Sequence, residues 1–147
     1  MHRRIALTAL FCLALLQATA CGMKQWPEPV DSEDAFGLEV TKSRRVEGCL
    51  SITAVASGAY ANIDELSLLL EPLGDGEGQG CFTCPFTPRR MVRLDRSQGS
   101  SVTRNGPVIE ISHCGLDPAT AYRWRLAATN AFPELGAVLT PVRLAEP

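Results

Sequence analysis

The chain has 147 residues, about one domain's worth, with 14 Lys and Arg against 16 Asp and Glu and six cysteines. A net charge of −2 excludes both the basic balance of a nucleic-acid binder and the charge runs of an acidic tail.

Residues 1–20 read as a secretory signal. Arg3 and Arg4 make a positive start, and Ile5 to Leu16 is an apolar run of 12 residues, short of the roughly 20 that span a bilayer. Ala18-Thr19-Ala20 satisfies an ordinary signal-peptidase site. With Cys21 directly after it, the stretch also resembles the bacterial lipobox, although Ala18 stands where that family prefers Leu. The lipobox resemblance implies a covalent acyl lipid (palmitate-containing) on Cys21 and so a membrane anchor. Loss of residues 1–20 leaves 12 basic against 16 acidic side chains, a net of −4. Residues 21–35 hold Pro27, Glu28, Pro29, Asp31, Glu33 and Asp34 without apolar periodicity, and read as an acidic tether. Gly22 follows the cysteine where an Asp retains many lipoproteins in the inner membrane. By resemblance this implies the outer membrane, with the domain facing the periplasm.

Residues 36–147 read as a single all-β domain. Gly37 to Val46 reads as the first strand. Cys49 to Val55 follows, with Leu50, Ile52 and Ala54 on one face. Ile63 to Glu71 points Leu66, Leu68 and Leu70 inward, leaving Leu69 as an extra apolar residue. Residues 74–80 form a Gly-rich loop, and Cys81 to Pro88 a rigid Pro-rich corner. Met91 to Leu94 is a short strand, Asp95 to Gly106 a polar loop, and Pro107 to Cys114 a strand with Ile109 and Ile111 inward. From Tyr122 on the chain alternates strictly, Tyr122, Trp124, Leu126 and Ala128 against Arg123, Arg125, Ala127 and Thr129. Ala137 to Leu144 closes the domain, and Pro141 within it argues for an edge strand or a bulge. The total is seven strands.

Leu116-Asp117-Pro118-Ala119-Thr120-Ala121-Tyr122, followed by Trp124, Leu126, Ala128 and Asn130, resembles the E–F turn and F strand of fibronectin type III domains. That family is one of the immunoglobulin-like β-sandwiches, in which a corner tyrosine hydroxyl bonds to the backbone just upstream. The second strand departs from the family, which usually carries a tryptophan there. In such a fold the strand starting at Cys49 neighbours the strand ending at Cys114. Both cysteines are out of phase with their inward neighbours, so the resemblance implies a Cys49–Cys114 bridge and leaves Cys81 with Cys84.

Cys81-Phe82-Thr83-Cys84 also has the C-x-x-C spacing of thiol–disulfide oxidoreductases, in which a helix N-terminus stabilises the first thiolate. Pro85 and Pro88 follow instead, and an exported chain favours structural disulfides. Zinc held by four cysteines is the third arrangement the count permits. His113 shares parity with Ile109 and Ile111 and reads as a packed core histidine. No G-x-S-x-G elbow or Gly-rich phosphate loop is present, so catalytic residues, metal and cofactor are all expected to be none, apart from the lipid on Cys21. Arg123 and Arg125 project from one sheet face, and Arg93 and Arg143 are expected beside them. Planar guanidiniums in such a set suit carboxylate or phosphate. The alternative is a solvated face paired with Glu71 and other acids. The resulting expectation is a lipid-anchored, non-catalytic binding or envelope-assembly module, with an envelope protein or anionic ligand as partner and no nucleic acid. A periplasmic thiol–disulfide protein using Cys81 and Cys84 is the alternative.

Overall fold

Alternating apolar and polar residues make the strands, and the computed structural model, which describes residues 32–147, pairs them into two antiparallel sheets. The signal, Cys21 and the tether as far as residue 31 lie outside the described residues. In chain order the strands are β1 (Phe36–Val46), β2 (Cys49–Gly58), β3 (Ile63–Pro72), β4 (Arg90–Arg93), β5 (Ser100–Asn105), β6 (Val108–Cys114), β7 (Tyr122–Asn130), β8 (Ala137–Leu139) and β9 (Arg143–Ala145). The first sheet has the order β1-β2-β6-β5. The second has the order β4-β3-β7-β8, with β9 also paired to β7. Their inner faces meet in one core, where Leu50, Ile52, Ile109 and Ile111 oppose Leu66, Leu68, Leu70, Trp124 and Leu126.

Nine strands form where the sequence suggests seven, for two local reasons. Residues 100–105, expected as loop, form β5, whose only apolar side chain is Val102. Its pairing is set by β6, to which every residue from Ser100 to Asn105 is aligned. The expected closing strand is split by Pro141 into β8 and β9. Thr140 repairs the break. Its N–H donates to the Leu126 carbonyl (3.0 Å), and its hydroxyl oxygen accepts from the Leu126 N–H (2.9 Å). Both backbone groups of Leu126 therefore stay bonded in a buried place where an orphan would be costly.

Two short connections hold the frame. Val46 and Cys49 are paired, so Glu47-Gly48 is a two-residue hairpin turn with positive φ at both positions (49° and 77°). At the adjoining turn, where the Leu116 N–H donates to the Gly48 carbonyl at 3.0 Å, the Asp117 N–H donates to the Tyr122 hydroxyl oxygen at 3.3 Å. The Ala119 N–H and the Thr120 hydroxyl donate to the Asp117 carboxylate, holding its pKa below the usual range. Arg45 closes the same end. Its guanidinium stacks on the Tyr122 ring and donates to the carbonyls of Asp117, Thr120 and Ala145.

Candidate binding surface

Outward residues of the second sheet follow from register. Glu71 is opposite Arg123, Leu69 opposite Arg125 and Met91, and Ser67 opposite Ala127 and Arg93. Arg93, Arg123 and Arg125 thus share the outer face. Arg143 does not. The proline break brings it opposite Trp124, an inward residue, and it reaches across the sheet edge to donate to the Val40 carbonyl at 2.6 Å.

The guanidiniums of this face are largely engaged within the protein. Arg93 meets Glu65 at 3.3 Å. Arg123 forms a buried pair with Glu71, with Nε 2.8 Å and Nη2 2.5 Å from Oε2, and side-chain exposures of 12 % and 2 %. The same Arg123 donates to the carbonyls of Cys84 (2.6 Å) and Pro85 (3.2 Å), while Glu71 Oε1 accepts from the Thr87 N–H (3.2 Å). Two charges buried together thereby clamp the corner between Cys81 and Pro88 onto the sheet. Gly80 is required at its entrance, since a Cβ there would strike the Glu71 carboxylate. Phe86 covers the clamp, its ring 5.1 Å from the Arg125 guanidinium carbon and 5.9 Å from that of Arg123.

The cysteines form two bridges, Cys49–Cys114 and Cys81–Cys84. The first joins directly opposed residues of β2 and β6. The second lies exposed at the corner, and no helix follows Cys84. His113 is fully buried, with Nδ1 2.8 Å from the Ser100 hydroxyl. Burial, and secondarily the Arg90 guanidinium, pushes its pKa below the usual histidine range. Among the described residues no group of three or more His, Cys, Asp or Glu side chains gathers to hold a metal.

What the clamp leaves exposed is apolar and cationic. Phe82 is 70 % exposed on the corner, and Met91 is 59 % exposed on β4. Arg89, Arg90 and Arg96 are exposed and make no ion pair among the described residues, but Arg90 is opposite Leu70, an inward residue, and so lies off the outer face that carries Met91. The sequence names Phe82 but does not single out Met91 or Arg45. Met91 was missed because the short strand Met91 to Leu94 was read without assigning its faces; register puts Met91 opposite outward Leu69. The signal for Arg45 was its parity with Leu50, which appears once the Glu47-Gly48 turn is recognised. No protein-family model matches this chain, and no curated protein matches it.

Proposed function

We propose that the chain is a lipoprotein of the bacterial outer membrane whose sandwich is a non-catalytic module for binding an envelope protein. In this reading Cys21 carries the lipid, and the acidic tether holds the sandwich in the periplasm. The sandwich belongs, in our reading, to the immunoglobulin-like class nearest fibronectin type III. The orders β1-β2-β6-β5 and β4-β3-β7-β8 support this, since they correspond strand for strand to the A-B-E-D and C′-C-F-G arrangement of that class. The Tyr122 hydroxyl bond to Asp117 also supports it. The bridge departs from the antibody pattern, joining neighbours within one sheet instead of crossing between sheets.

One observation carries the binding reading: Phe82 stands 70 % exposed on a corner fixed by a buried ion pair. A large aromatic on a fixed corner is the kind of anchor that dominates protein interfaces, and the same sheet exposes Met91 on β4, with Arg89 just before that strand. The complementary partner has an apolar pocket rimmed by carboxylates. A photo-crosslinking amino acid placed at Phe82 or Met91 of the full chain in living cells should trap the same envelope protein. Changing Arg89 to Ala should weaken both adducts. Equal adducts from position Ser112 on the opposite sheet would refute the reading.

The thiol–disulfide reading is favoured by one feature, the exposure of Cys81 and Cys84. Replacement of both by Ser discriminates: a redox protein loses disulfide-exchange activity, whereas a binding module loses stability or local order and has no such activity to lose.

A further inference from the structure

The outer face of the first sheet carries a polar array that neither the clamp nor the corner uses. Register lays it out in two rows. Lys42, Thr53, Glu110 and Thr103 cross the four strands in one row. Arg44, Ser51, Ser112 and Ser101 cross them in the next. With strands about 4.8 Å apart and outward residues about 6.8 Å apart along each strand, the patch measures roughly 14 by 7 Å. The short side chains of Ser51, Thr53 and Ser112 leave a depression of about 410 Å³ between Glu110 and the long Lys42 and Arg44.

Among the described residues none of these eight side chains makes a hydrogen bond or ion pair within the protein. Arg45, Arg93, Arg104, Arg123 and Arg143 are all engaged internally. The cations free to meet an anion therefore include two on this sheet, side by side at its β1 edge. The Cys49–Cys114 bridge ties β2 to β6 on the same face, one row beyond Ser51 and Ser112, so the platform is cross-linked.

We propose that this face binds a carboxylate-bearing glycan. Five hydroxyls that both donate and accept match the hydroxyls of a sugar, and no large apolar side chain stands in the array to anchor a protein. Lys42 and Arg44 give the acid group its place at the β1 edge. Glu110 lies two strands from Lys42, about 10 Å away. It favours neutral hydroxyls at the centre and opposes a densely anionic chain such as a nucleic acid. Glycan binding here is independent of the proposed protein contact on the other sheet.

The test is a titration of the full chain with a hexasaccharide of alternating glucuronate and N-acetylglucosamine, and with the uncharged N-acetylglucosamine hexamer, read by calorimetry. The charged hexasaccharide should bind at least about tenfold more tightly than the neutral one. K42A/R44A should weaken its binding by about tenfold or more, and Ser112→Tyr, which fills the depression, should do the same. Phe82→Ser should change nothing. Absence of binding at about 5 mM ligand, equal binding of the two sugars, or binding unchanged in K42A/R44A would each overturn the proposal. None of these outcomes bears on crosslinks from Phe82, so the two readings fail separately.

Discussion

Arg123→Met is the sharpest perturbation of the clamp. It keeps much of the side chain's length and volume but removes every donor. Glu71, 2 % exposed, would keep only the Thr87 N–H at 3.2 Å, and the carbonyls of Cys84 and Pro85 would lose their partner. Breaking a buried ion pair by deleting one member costs about 3–5 kcal/mol, because the other charge stays buried and uncompensated. A domain of this size has about 5–15 kcal/mol in all, so the loss should be plain in urea unfolding with both disulfides intact. E71L/R123M removes both charges and should cost far less than the two single changes together, with a coupling of at least about 2 kcal/mol. Trypsin should also cut faster at Arg89 and Arg90 in Arg123→Met, since the corner before them is released. A cost below about 1 kcal/mol, or an unchanged cleavage rate, would mean that the pair behaves as a solvated surface bridge and the corner is held by something else.

Thr140→Val should cost about 1–3 kcal/mol in the same assay by orphaning the buried Leu126 N–H, whereas Thr140→Ser should cost less. His113 has a lowered pKa in the folded state, so its contribution is complete above the unfolded value near 6.5. Stability should fall as the pH drops below that value towards the folded pKa, with a slope of up to about 1.4 kcal/mol per pH unit. His113→Asn should flatten this slope between pH 7.5 and 5, and a wild-type curve already flat there would contradict the burial argument. Chain entropy separates the two disulfides: C49A/C114A opens a separation of 65 residues and should cost about 4 kcal/mol, against about 2 kcal/mol for C81S/C84S with its separation of 3.

Parity made much of the architecture legible. Period-two runs located Leu50–Ala54, Leu66–Leu70 and Tyr122–Ala128, and the family's strand neighbourhood joined to parity brought Cys49 opposite Cys114. β5 was hidden because strand formation there depends on a neighbour. Ser100 to Asn105 has one apolar side chain, and its alignment is dictated by β6. The same gap hid the hydroxyl array, since Ser101 and Thr103 could not be laid beside Ser112 and Glu110 without it. Arg143 was expected on the outer face because Ala137 to Leu144 was read as one strand, with Pro141 marking an edge strand or a bulge. Resuming as β9, the chain turns that guanidinium inward. Glu71 was recognised as a candidate partner for the arginines, but not as a buried one, because its burial is supplied by a corner distant in sequence.

The most direct test of the envelope-module account is thiol trapping by alkylation in living cells, followed by peptide mass spectrometry of the mature protein. The account predicts an acyl mass on Cys21, no residue before it, and Cys49–Cys114 and Cys81–Cys84 fully bridged and resistant to mild reductant. A mixture of thiol and disulfide at Cys81 and Cys84 would contradict the non-catalytic reading and favour redox chemistry. An unmodified Cys21 would contradict the membrane anchor.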